Sequence, residues 1–143
     1  MAATAALDAL SLDLPFMDEA HGRFMGLLAI ADSADDRNLP DAWRDLVACA
    51  SESFAREDSW MDATGHASRR DHHLQHRVVL EVMREGMVLA DEGQWLHVRQ
   101  MAWQLRDWYC KHVQTMDAAL ALHLRGTRFA PDRAAAALAA AAA

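Results

Sequence analysis

The chain has 143 residues, of which 52% are hydrophobic and 24% charged, a balance typical of one globular domain with a single core. Its formal net charge is -7 and Lys111 is its only lysine, so it lacks the clustered positive charge with which proteins bind nucleic acid. No apolar run reaches the roughly 18 residues that span a membrane. We therefore expect neither nucleic acid nor a membrane as partner. The N-terminus lacks a secretion signal and Cys49 and Cys110 form no CxxC pattern, which favours a cytoplasmic protein.

Apolar residues recur at helical spacing, which predicts four helices and no long strands. We expect the first helix to begin near Met17, the second near Pro40, the third to run from about Arg69 to Leu89 and the fourth from about Gln94 to Leu124. Short polar connections favour an all-α, up-down-up-down four-helix bundle. The predicted organisation is an N-terminal arm (1–15), the bundle (16–126) and an Ala-rich C-terminal tail (127–143).

Histidines and carboxylates lie on all four predicted helices in a pattern typical of a metal site. His72 and His76 are four residues apart, so both imidazoles project from one helix face. Facing helices of a bundle direct such side chains into one buried site. Imidazole and carboxylate together suit iron, manganese or zinc. The six candidate metal ligands are His21, Glu57, His72, His76, His112 and Asp117.

Two of these candidates, Glu57 and Asp117, come from different helices. Because a carboxylate has two oxygens, both could bridge a pair of metal ions, which would offset the cost of burying them. The three histidines of the third and fourth helices would then bind one metal and His21 the other. A second interpretation stays open, since each ligand taken alone is typical of a hydrogen-bonded core histidine or a solvated charge. The chain would then be a bundle that holds zinc or no metal and acts through a partner surface.

Four segments resemble the signatures of the bacterial hemerythrins, a family of non-haem di-iron, oxygen-binding four-helix bundles. MDEAHGRFMGLL is similar to the first-helix signature around His21, and SFAREDSWM to the second-helix segment HFxxEExxM around Glu57. HHLQHRVVLEV contains the third-helix HxxxH pair. WYCKHVQTMD contains the fourth-helix HxxxxD pair, with Trp108 at the family's tryptophan. The segments occur in the family order and extend across most of the chain.

The resemblance implies a cofactor of two non-haem iron ions bridged by Glu57 and Asp117. It implies that the three histidines of the third and fourth helices hold one iron and that His21 and the bridging carboxylates hold the other. The implied partner is dioxygen or another small diatomic molecule, bound for storage, delivery or sensing. The implied protein is a binding protein and not an enzyme, and a weak peroxidase-like activity stays open.

One position departs from the family pattern, because Ser53 stands where the second helix has a histidine ligand. Three consequences compete: water fills the position, a neighbouring side chain replaces the imidazole, or the second metal binds weakly or not at all. Three neighbours could replace the imidazole: Cys49, His66 and His73. Cys49 lies one turn before Ser53 on the same helix face but is more typical of a small core residue, His73 points toward a flank, and His66 lies too far along the bundle axis, so we expect water. An altered site of this kind suits a scavenger or sensor of nitric oxide or peroxide as the alternative function.

Overall fold

The computed structural model describes residues 9–131, and all regular secondary structure in that range is helical. The helices are α1 (Pro15–Ser33), α2 (Leu39–Thr64), α3 (Arg69–Asp91), α4 (Trp95–His112), a π-helical segment (Val113–Asp117) and α5 (Ala118–Gly126). The last three run on without a break and form one long fourth helix. Consecutive helices pack on each other, and α1 also packs on α4, which closes the bundle. The predicted all-α four-helix bundle is confirmed.

The domain boundaries stay predictions. Most of the predicted arm and tail, residues 1–8 and 132–143, lies outside the described residues. Among the described helices, none is both long and apolar enough to cross a membrane.

Local signals in the sequence explain where the helices begin and end. Pro15 occupies the first turn of α1, and the Asp18 carboxylate accepts hydrogen bonds from the Leu12 amide at 2.8 Å and the Ser11 hydroxyl at 3.1 Å. After α2, Gly65 adopts a left-handed φ of 66° while its amide donates to the carbonyl of Met61. Glycine has no Cβ to oppose this conformation and therefore ends helices in this way.

The interior of the bundle consists of two apolar clusters with a polar layer between them. The larger cluster contains Phe24 and Phe54, and the smaller one contains Met17, Met61 and Leu120. Buried candidate ligands lie between these positions along α1, α2 and the fourth helix. Because these three helices contribute apolar residues on both sides of the layer, the polar groups are enclosed along the bundle axis.

The π-helical segment sets the relative orientation of His112 and Asp117. In an α-helix, two residues five positions apart point about 140° away from each other. The wider π turn, from Val113 to Asp117, makes hydrogen bonds over five residues and returns such a pair to one face. The Nε2 atom of His112 and the Oδ1 atom of Asp117 consequently lie 3.1 Å apart. The sequence analysis predicted a single helix here and did not foresee this segment.

Candidate metal centre

Five of the six predicted ligands form one buried cluster. One donor atom of each lies within 4.8 Å of a donor atom of every other, and all five residues are buried: Glu57, His72, His76, His112 and Asp117. Three imidazole Nε2 atoms lie close together: the Nε2 atom of His112 is 3.2 Å from the Nε2 atoms of both His72 and His76.

Two carboxylate oxygens complete this donor set. The Asp117 Oδ1 atom lies 2.9 Å from the Nε2 atom of His72, and the Glu57 Oε1 atom lies 3.4 Å from the Nε2 atoms of His72 and His76. Adjacent ligands of an octahedral ion with bonds of about 2.1 Å lie roughly 3 Å apart. The spacing of the five donors therefore fits a single metal ion between them.

The same two oxygens, Glu57 Oε1 and Asp117 Oδ1, are buried and face only imidazole nitrogens. They have a hydrogen-bond donor only where one of these histidines carries a proton on Nε2. A buried acceptor without a donor is costly, and a buried carboxylate more so. Coordination of a cation would remove that cost, so the residues present fit a metal ion.

The sixth predicted ligand, His21, lies on the other side of the carboxylates. Its Nε2 atom is 2.9 Å from Asp117 Oδ2 and 4.0 Å from Glu57 Oε2. Each carboxylate thus directs one oxygen toward the three-histidine set and its other oxygen toward His21. At 2.9 Å, His21 Nε2 and Asp117 Oδ2 are within hydrogen-bonding distance of each other.

Ser53 lies one turn before Glu57 on α2 and is buried. Its hydroxyl donates to the carbonyl of Cys49 at 2.7 Å, so this hydrogen is already used within its own helix. Burial raises the pKa of the Cys49 thiol, which disfavours the thiolate that would bind a metal.

The two neighbouring histidines lie outside the five-residue cluster. The His66 ring packs 4.8 Å from that of His123, and the Nε2 atom of His73 lies 3.4 Å from Asp62.

Comparison with known proteins gives a curated relative. Over 110 residues the chain is 29% identical to a protein named Bacteriohemerythrin from Ralstonia nicotianae, an alignment that covers 77% of this chain and 80% of that protein. The chain is hemerythrin-like. No protein-family model matches it. No solved structure matches it at a significant level. The relative and the four-helix bundle together confirm the resemblance drawn from the sequence, while the role of Ser53 stays a prediction.

Two further side chains of this hemerythrin-like bundle hold the imidazoles in place. The Nδ1 atom of His76 lies 2.7 Å from Asp58 Oδ1, and the Nδ1 atom of His112 lies 2.8 Å from Gln75 Oε1. A proton on Nδ1 in each ring would leave the Nε2 lone pair free to face the centre. The sequence analysis missed both residues, although Asp58 and Gln75 are each adjacent in sequence to a candidate ligand.

Aromatic rings enclose the centre of the hemerythrin-like fold. Phe54 stacks on His76 with ring centroids 4.1 Å apart, and Trp108 stacks on His112 at 4.6 Å. Trp108 and Gln75 also line an apolar cavity of about 420 Å³ between α3 and α4. These contacts fix the imidazole planes and limit the access of water to the cluster.

Opposite charges stabilise one another within the cluster. Burial alone lowers the pKa of His72, but Asp117 and Glu57 outweigh burial and raise this pKa to about 9. Burial opposes ionisation of Asp117 in the same way, but His112, His21 and His72 bring its pKa well below the usual range. Without a metal, the centre is therefore an imidazolium and carboxylate network, and a metal ion has to displace protons from it.

Proposed function

We propose that this chain binds two non-haem iron ions in the buried centre and binds dioxygen there as a non-enzymatic carrier or sensor. The observation that supports this most directly is the position of the two carboxylates between His21 and the three-histidine set. The similarity to a protein named Bacteriohemerythrin supports the same choice of metal.

In this proposal the two metal positions have unequal sets of protein ligands. Three imidazoles and one oxygen from each of Glu57 and Asp117 would hold the first metal. The other oxygens of the two carboxylates and His21 would hold the second. Since Ser53 donates its hydroxyl hydrogen within α2, we propose that water occupies the place that an imidazole would fill.

A pair of ferrous ions would supply the electrons for reversible binding of dioxygen. The protein's own contribution is to orient the ligands and exclude water. Asp58 and Gln75 orient two imidazoles through their Nδ1 atoms, and Phe54 and Trp108 cover them. A dry, fixed set of ligands limits water and protons at the site, which favours reversible binding over oxidation.

Iron content and the optical spectrum test this proposal directly. The native chain, Ser53→His and the control Ser59→His, which changes an exposed serine of the same helix, would each be loaded with ferrous iron without oxygen. We expect two irons per native chain and a visible absorption band that appears with dioxygen and disappears when it is removed. A native chain that retains one iron, or none, contradicts the proposal.

The small side chain at Ser53 favours a second candidate function, a scavenger or sensor of nitric oxide or peroxide. Two exchangeable positions on one metal would admit water and promote oxidation. Under this alternative, the native chain takes up two irons but oxidises irreversibly in air, whereas Ser53→His binds dioxygen reversibly. Ser59→His would then behave like the native chain.

A further inference from the structure

Tyr109 is a buried polar side chain to which the proposed function assigns no role. It is the only tyrosine of the chain, lies three residues before His112 on α4 and is 3% exposed. Its hydroxyl makes no hydrogen bond to any residue in the range 9–131. Tyrosine hydroxyls in a protein core usually have a partner, so this one is available to a water molecule or a ligand that is not part of the chain.

Contacts with α1 hold the ring beside the second metal position. Phe24 stacks on the Tyr109 ring with centroids 3.8 Å apart and planes inclined by 22°. The His21 ring meets it edge to face at 6.0 Å and 80°. His21 is the imidazole that faces the outer carboxylate oxygens. The phenol is therefore fixed on the His21 side of the centre and not on the side of the three-histidine set.

The electrostatic environment of Tyr109 supports this position. Burial raises its pKa well above the ordinary value, and Asp117 and Glu57 raise it further. A phenol O–H is a hydrogen-bond donor in its ordinary, uncharged form. The two carboxylates that act on it are those that lie between the two metal positions.

We infer that the Tyr109 hydroxyl donates a hydrogen bond to a small anion or diatomic molecule bound on the His21 side of the centre, and so selects ligands that carry negative charge. This inference rests on the proposed function, because it needs a metal at the second position. Tyr109 supplies a hydrogen-bond donor on this side, next to His21. The Tyr109 hydroxyl would stabilise the bound ligand, and the metal would bind it.

Azide is a suitable probe because it is a small anion with an infrared stretch that reports on hydrogen bonding. Iron-loaded, air-oxidised native protein, Tyr109→Phe and the control Ser59→Ala would be titrated with azide. We expect Tyr109→Phe to bind azide about tenfold more weakly, the effect of one hydrogen bond to a charged group, at unchanged iron content. Ser59→Ala removes an exposed hydroxyl of α2 and is expected to bind as the native protein does.

A second measurement separates hydrogen bonding from packing. In the native protein, the stretch of bound azide should shift between H₂O and D₂O, and this shift should be absent in Tyr109→Phe. Equal azide affinities and equal isotope shifts in the two proteins would overturn the inference and leave the proposed function intact. A native protein that fails to take up two irons overturns the proposed function, and the inference with it, before azide is added.

Discussion

At the level of single residues, the histidines of the centre differ in what contacts their second nitrogen. His76 and His112 each have a partner at Nδ1, whereas the Nδ1 atoms of His21 and His72 have none among the described residues. A partner at Nδ1 fixes the tautomer and the plane of the ring. The centre is therefore most rigid at His76 and His112, where Asp58 and Gln75 provide this support.

The contact between Asp58 and His76 gives a prediction about metal affinity. Asp58→Ala removes the carboxylate that holds the Nδ1 atom, so we expect the affinity for ferrous iron to fall about tenfold. Competition with a chelator under anaerobic conditions measures this. Asp62→Ala is the matched control, because Asp62 lies one turn further along α2 and contacts His73, which is outside the cluster. Equal losses in the two variants would mean that surface charge, and not orientation of His76, sets the affinity.

At the level of helices, a close contact fixes α2 against α3. Trp43 is 1% exposed, and its indole N–H donates to the carbonyl of Met83 at 2.7 Å. Gly86 lies under the same indole, where an added Cβ would be 2.6 Å from the ring nitrogen. The absence of a side chain at this glycine is what lets the two helices approach with a tryptophan between them.

This contact predicts the effect of adding one methyl group. Gly86→Ala would displace the indole and break its hydrogen bond, so we expect the free energy of unfolding to fall by about 2 kcal/mol. Chemical denaturation of the two proteins measures the difference. Gly26→Ala is the matched control, because Gly26 lies within α1 with nothing near its added Cβ, and a helical alanine there should stabilise the fold by about 0.5 kcal/mol or more. Destabilisation by both variants would refute the steric explanation.

The helices also show why part of the site could be predicted from sequence and part could not. Apolar periodicity and the short polar connections were enough to place four helices, and the HxxxH spacing put His72 and His76 on one face. The π-helical segment was not predicted. It widens the helix by one residue in a single turn, and the apolar spacing within the α-helical stretches before and after it is still that of an ordinary helix. Tyr109 was missed for another reason: a buried tyrosine has the same pattern as any core residue, and only the contact of its ring with His21 distinguishes it.

At the level of the whole molecule, the centre links stability to pH. For His72, a pKa raised from 6.5 to about 9 means that the metal-free fold gains stability that is fully present below about pH 6.5 and is lost as the pH rises through 9. For Asp117, the lowered pKa means a contribution that is present above about pH 3.8 and is lost in more acid solution. The metal-free chain therefore draws most stability from this network between about pH 4 and pH 6.5.

Above about pH 6.5, the stability that a bound metal adds should rise with pH, whereas the stability of the metal-free chain falls. Since a metal ion must displace the proton of His72, its affinity rises as this proton becomes easier to remove, and the stability that it adds rises too. We expect the difference in Tm between metal-loaded and chelated protein to grow from pH 6.5 to pH 9. The deprotonation of His72 accounts for up to about 3 kcal/mol of the corresponding change in the free energy of unfolding. Calorimetry at several pH values measures this. The asparagine of His72→Asn cannot titrate, so the stability of the chelated variant should no longer fall between pH 6.5 and pH 9. A difference in Tm that stays constant or shrinks with pH would mean that His72 is not a metal ligand.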